Sequence, residues 1–336
     1  MNKDFLLVSD FNNADIIHLI RLAIAMKNEK LKSALFRKPY AEQTKEFSIT
    51  SDYEAAWEDG YANDGPLFIG EGHLLALIFE KPSLRTRVSF EAAMQNLGGG
   101  SIFLSKNEIQ IGEREEIKDV ARTLSNMTDV IAIRTASHSN IEEFASFATV
   151  PVINALSDLE HPCQALADLM TIYEKFGKFE NINLTYLGDA NNVSNSLAIA
   201  SALVGMSFTF CGPSDFSLND EIIKQSHSLN KDSLQIEHDP MLAVKNADVL
   251  YTDVWASMGD EATIDERKPI FLPYQLNTEI LKNTDKIPLI MHCLPAKRGN
   301  EITDEVIESE NSIVFEQAEN RLWIQQAIMN KLIAGY

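Results

Sequence analysis

Short apolar runs alternate along this chain with longer segments in which apolar positions recur every three or four residues. Leu74-Leu75-Ala76-Leu77-Ile78-Phe79 reads as a buried strand, and the segment after Pro82 as a helix over 84–97 that ends at Gly98-Gly99-Gly100. The same rhythm predicts strands at 101–104, Val130-Ile131-Ala132-Ile133 and Pro151-Val152-Ile153-Asn154, with helices at 115–126 and 140–147 between them. Upstream, Ile16, Ile17, Leu19, Ile20, Leu22 and Ala23 mark a helix over 14–33, capped by Asn12 or Asn13. A long helix at roughly 161–176 follows His161-Pro162, and the alternation then restarts. Strands are predicted at 184–188, 208–210, 249–251 and 288–291, and helices at 193–204 and 319–333. This is the signature of an α/β fold with two doubly wound parallel-sheet domains, joined by the helix near 161–176. Residues 37–70 break the rhythm. They are polar, acidic and aromatic, with Asp-Gly turn signals and no period, and read as an irregular surface insertion.

Composition narrows the chemistry. A chain of 336 residues exceeds one typical core, consistent with two domains. A formal net charge of -20 argues against nucleic acid or an anionic membrane as the main partner. It leaves room for a small anionic substrate, which needs only a local group of arginines. No run is long enough to span a bilayer, and the start, Met-Asn-Lys-Asp-Phe, has no secretory pattern. Cys163, Cys211 and Cys293 show no paired spacing, which fits a reducing cytoplasm rather than a disulfide framework. The seven histidines form no metal-ligand spacing.

Candidate chemistry gathers where the predicted strands end. Ser83-Leu84-Arg85-Thr86 follows the first strand and opens a helix. Free backbone N–H groups, two hydroxyls and a guanidinium there suit a phosphate, although a capped helix with surface arginines has the same sequence. Arg87 stands four residues before Glu91 and is assigned to pairing with it, leaving Arg85 for a ligand. Arg134 ends a second strand and could share the same phosphate, or be solvated. His161 and Gln164 lie three apart at a helix start, as a grip on a small carbonyl or amide, or as a cap and a surface residue. Gly188-Asp189-Ala190-Asn191-Asn192 links a strand to a helix without the G-x-G-x-x-G glycines. That disfavours a dinucleotide site and a dehydrogenase, and Asn192 could equally be a cap. Asp253 at a strand end suits a cationic amine, with Ser257-Met258-Gly259 as a flap, or caps a loop. Cys293 after another strand is a packing residue or a site residue, Leu294-Pro295 a strained turn, and Arg321 a site or surface residue.

Together the motifs identify a family. In order, Ser-x-Arg-Thr-Arg, Ile-Arg-Thr, His-Pro-x-Gln, Gly-Asp-x-Asn-Asn, Asp-x-x-x-Ser-Met-Gly, His-Cys-Leu-Pro and Glu-Asn-Arg-Leu resemble the aspartate/ornithine carbamoyltransferases over nearly the whole chain. The motifs at Asp253–Gly259 and His292–Pro295 resemble its ornithine-using branch. The resemblance implies transfer of the carbamoyl group of carbamoyl phosphate to the side-chain amine of L-ornithine, giving L-citrulline in arginine metabolism. No metal or organic cofactor is implied. Residues 1–160, joined by the C-terminal helix 317–336, would bind carbamoyl phosphate, and 161–316 ornithine. Ser83, Leu84, Arg85, Thr86 and Arg134 would hold the phosphate. His161 and Gln164 would hold the carbamoyl group, with Cys293, Leu294 and Arg321 closing the site. Asn192, Asp253, Ser257 and Met258 would bind ornithine. Gln110 resembles the family's contact from a neighbouring subunit, which implies a homotrimer. Catalysis would fall to Arg85, Arg134, His161, Asp253 and Cys293. Leu84 departs from the pattern, since the family usually has threonine there.

Overall fold

The computed structural model describes residues 3–36, 70–109, 112, 114–256 and 264–334. Of the 37–70 segment only Gly70 falls within them, and Gln110, Ser257 and Met258 lie outside them. Among the described residues, nine strands form two sheets, and every pairing within them is parallel.

The first sheet contains β1 (Leu74–Phe79), β2 (Gly100–Ser105), β3 (Val130–Arg134) and β4 (Val152–Leu156), in the order β2-β1-β3-β4. The second contains β5 (Asn183–Leu187), β6 (Ser207–Cys211), β7 (Leu234–Glu237), β8 (Val249–Thr252) and β9 (Leu289–His292), in the order β7-β6-β5-β8-β9. Central strands are buried along nearly their whole length, as β1 and β3 show. That is why they read as continuous apolar runs rather than alternating ones.

Most predicted elements form within a few residues of their expected bounds. The first helix, Asn13–Phe36, is capped by Asn12, whose Oδ1 accepts the Asp15 N–H at 3.0 Å. Pro82 precedes the helix Leu84–Asn96, as expected, and Ser83 takes its N-cap. Unpredicted elements include the helix Asp220–Leu229 and β7. β7 is a four-residue edge strand with only Leu234 fully buried, too short and too polar to leave a period.

The helix Pro162–Phe176 lies between the sheets and is buried along most of its length, Asp168 included. Pro162 occupies its first turn, where the missing N–H costs nothing, and Gly177 at φ 68° ends it. The C-terminal helix Val314–Ala334 runs back to pack on the helices Leu84–Asn96, Pro162–Phe176 and Asn13–Phe36. Its buried face carries Gln317, Asn320, Arg321 and Gln325. No described helix is long and apolar enough to cross a membrane.

Candidate active site

Both sheets reverse their winding direction once, and the candidate residues gather at those two reversals. In the first sheet the chain steps from β1 outward to β2, then returns to build β3 and β4 on the other side. The carboxyl ends of β1 and β3 are therefore neighbours, with Phe79 beside Arg134. Ser83–Thr86 and Arg134 emerge there. In the second sheet the reversal lies between β5 and β8, where Leu187 pairs with Thr252. Asn191 and Asp253 emerge there. Crevices of this kind are where open α/β sheets bind ligands.

The first reversal is cationic. Ser83 caps the Leu84–Asn96 helix, its Oγ accepting the Thr86 N–H at 3.3 Å. The Leu84 and Arg85 N–H groups at the very start of the helix are left for an anion. Leu84 itself is 73% exposed, so its side chain does not fill the crevice. Arg87 pairs with Glu91 at 3.0 Å and covers the Phe103 ring, as its spacing predicts. Arg85, half-buried, has no ion-pair partner among the described residues; its pKa is lowered by burial, against the pull of Cys293 and Asp253. Arg134 is lowered to about 10, first by burial and then by Arg321 and Arg85. Three guanidiniums thus converge, and each raises the cost of charging the others until an anion arrives.

Between the reversals stands the start of the helix Pro162–Phe176. His161 is its N-cap residue by position, but its ring makes no capping bond. Its backbone N–H donates to Ser196 Oγ at 2.9 Å, and its Nδ1 is buried with no partner among the described residues. Burial, with Arg321 and Arg134 adding to it, pushes this histidine well below its usual range, so the ring is neutral at pH 7. Gln164 Oε1 accepts from Arg321 at 2.6 Å, and a second Arg321 nitrogen donates to Thr86 Oγ1 at 3.1 Å. Arg321 therefore ties the phosphate-type helix start to Gln164 while fully inside the protein.

The second reversal is built around Asp253. Its Oδ2 accepts from Asn191 Nδ2 at 2.9 Å and its Oδ1 from the Cys293 thiol at 3.1 Å. Burial, then the adjacent Asp253, pushes the thiol pKa well above its ordinary value. Cys293 is a neutral donor, not a thiolate nucleophile. The cap of the following helix is Asn191, whose side chain receives the Val193 and Ser194 N–H groups. Asn192 is the first helical residue, and its Nδ2 donates to Ser157 O at 2.6 Å, reaching toward the first sheet. Leu294 adopts φ 56°, a left-handed conformation rare for a branched side chain, and the bond to Pro295 is cis. The expected turn after β9 is therefore present.

Asp253, His292 and Cys293 bring possible ligand atoms within 4.8 Å of one another. His292 does not suit a metal, however. Its Nδ1 accepts the Leu294 N–H at 2.9 Å, and its Nε2 faces Glu301 Oε1 at 3.0 Å. Both ring nitrogens are engaged in holding the turn.

Sequence reasoning missed three members of this site: Asn191, Asp168 and Gln317. Asp168 is fully buried beneath Gln164, and its signal was a carboxylate on the His161–Gln164 face of an otherwise apolar helix.

Comparison with known proteins shows which family the chain resembles. Residues 3–174 match the model described as aspartate/ornithine carbamoyltransferase, carbamoyl-P binding domain, and 180–332 the Asp/Orn binding domain of the same family. The chain is 44% identical over 331 residues to an ornithine carbamoyltransferase of Archaeoglobus fulgidus, covering 98% of this chain and 97% of that one. It is 48% identical over 268 residues to the anabolic ornithine carbamoyltransferase of Pyrococcus furiosus, covering 79% of this chain and 85% of that one. The solved structure of the Pyrococcus furiosus ornithine carbamoyltransferase superposes with a TM-score of 0.86 at 41% identity, covering 99% of this chain and 97% of that one.

Proposed function

The chain belongs to the aspartate/ornithine carbamoyltransferase family, and from that premise we propose how its residues divide the work. The reaction is transfer of the carbamoyl group of carbamoyl phosphate to the side-chain amine of L-ornithine, giving L-citrulline and phosphate in arginine metabolism. The observation that carries the assignment of roles is the convergence of Arg85, Arg134 and Arg321 near His161 and Gln164, with the paired Asp253 and Cys293 close enough to act on Arg85.

Residues 1–160, completed by the C-terminal segment 317–336, bind carbamoyl phosphate, and 161–316 bind ornithine. The phosphate sits against the Leu84 and Arg85 N–H groups, the Ser83 and Thr86 hydroxyls, and the guanidiniums of Arg85 and Arg134. Leu84 thus serves through its backbone, which the loss of a threonine hydroxyl leaves intact. His161, Gln164 and Arg321 hold the carbamoyl group, with Cys293 and Leu294 closing over it. Asp253 and Asn192 receive ornithine together with Ser257 and Met258, and Gln110 reaches a neighbouring subunit's site.

The attacking amine must be neutral, against a free pKa of about 10.4. Nearby arginines favour losing that proton, whereas Asp253 favours keeping it. Asp253 therefore binds the substrate's ammonium groups and orients Cys293 rather than acting as the base. As the amine adds, the carbonyl oxygen gains negative charge. Arg85, Thr86, Arg134 and the neutral His161 face it, donors fixed before the reaction begins. Phosphate then leaves with its charge held by arginines and takes up the proton that the attacking nitrogen gives up, so that hydrogen phosphate and the new amide are the products. Holding two small reactants together supplies much of the remaining acceleration.

Colorimetric citrulline formation tests this reading. Wild type is expected to carbamoylate ornithine faster than putrescine, N-acetylornithine or aspartate, and Arg85→Ala to lose about 100-fold or more in kcat/KM. A faster rate with another amine would displace ornithine as the acceptor, and wild-type activity no greater than that of Arg85→Ala would remove the enzyme assignment. We assign the chain to the cytoplasm and to a homotrimer. Sedimentation is expected to give about three times the 37.6 kDa chain mass, and a monomer would contradict it.

A further inference from the structure

Gln164 can read a carbamoyl group only if its amide faces the right way, and a side-chain amide can be turned end for end without a change of shape. Two buried hydrogen-bond partners settle the direction. Arg321 donates to Oε1 at 2.6 Å, and Nε2 donates to Asp168 Oδ1 at 2.8 Å. Reversal would set the NH2 against a guanidinium and the carbonyl against a carboxyl oxygen. Asp168 is itself held by two further donors. Gln317 Nε2 donates to the same Oδ1 at 2.7 Å, and the Tyr251 hydroxyl to Oδ2 at 3.1 Å. Gln317 also donates to the Tyr251 hydroxyl at 3.1 Å and accepts the His292 N–H at 2.9 Å, next to Cys293. A single buried chain of contacts therefore runs from Thr86 through Arg321, Gln164, Asp168 and Gln317 to His292, at the end of the strand that leads into Cys293.

We propose that Asp168 is a positioning residue for substrate choice: it locks the Gln164 amide with its oxygen toward the Arg321 side, where that oxygen accepts a hydrogen bond from the carbamoyl NH2. The inference rests on the carbamoyl-transfer reading above. Its consequence is discrimination against acyl phosphates that carry a methyl group in place of NH2, such as acetyl phosphate. A methyl group leaves the second lone pair of a buried oxygen unpaired, a penalty that reads out as roughly 10-fold to 100-fold in affinity. Oδ1 accepts both amides whether or not Asp168 carries a proton. An asparagine there can keep the same two contacts through its own oxygen and turn its NH2 toward Tyr251, whereas a leucine cannot.

The test compares the Ki of acetyl phosphate, as competitor, with the KM of carbamoyl phosphate in wild type, Asp168→Asn and Asp168→Leu. The asparagine variant is expected to keep the wild-type ratio to within about threefold. The leucine variant is expected to lose about tenfold or more of it, through a raised carbamoyl phosphate KM, with the acetyl phosphate Ki and the ornithine KM little changed. If the leucine variant does not fold, Asp168→Ser, whose hydroxyl does not reach the Gln164 amide, reads the same ratio with the same two outcomes. An unchanged ratio in an active leucine or serine variant, or equal loss in the asparagine variant, overturns the proposal while leaving the enzyme reading intact. Failure of wild type to form citrulline overturns both.

Discussion

At the scale of single residues, the most informative side chain is Cys293, because a cysteine at a strand end reads as packing or as a site residue and its surroundings decide its role. The thiol donates to Asp253 and is held protonated by burial and by that carboxylate. A serine can make the same donation. Cys293→Ser is therefore expected to keep citrulline formation within about tenfold, measured as kcat. A nucleophile's loss would instead cost several orders of magnitude, as removal of a covalent catalyst does. The same scale shows where sequence reading stops. Asn191 and Asn192 are adjacent and chemically identical, and the choice of cap depends on backbone geometry. Only the structure places Asn191 on Asp253 and Asn192 on Ser157. Arg87 was legible because its partner sits at helical spacing, four residues away. Arg321 was legible as a site residue only through the family motif and not through its contacts, since its partners Gln164 and Thr86 are 157 and 235 residues distant.

At the scale of elements, the strands were legible because parallel strands buried on both faces leave uninterrupted apolar runs, and the helices because caps and glycines punctuate them. Gly98 at φ 92° after the Leu84–Asn96 helix is one such mark. Strand order was not legible. Nothing in the runs themselves says that β1 lies between β2 and β3, or β5 between β6 and β8. Yet that order creates the two reversals, and the reversals bring strand-end residues from separate parts of the chain into contact. The candidate residues were found as strand-end residues, and their pairing into a phosphate half and an amine half follows from topology. The element that unites the halves is the helix Pro162–Phe176. Its one face presents His161 and Gln164 to the site and Asp168 to the network below. Its neighbour Val314–Ala334 supplies Arg321 and Gln317 one turn apart to the same network.

At the scale of the whole molecule, a chain with a net charge of -20 presents a site for anions. The contradiction is resolved by placement: three arginines are drawn from β3 and two helices into one partly buried crevice, where their charge is screened least. The central claim is that this crevice has two separable halves. The measurement that tests it most directly is the initial rate of citrulline formation with both substrates varied, in wild type, Arg85→Ala and Asp253→Asn. The account predicts that Arg85→Ala raises the KM for carbamoyl phosphate about tenfold or more and leaves that for ornithine nearly unchanged, while Asp253→Asn does the reverse. Equal changes in both KM values for either variant, or the opposite pattern, would contradict it.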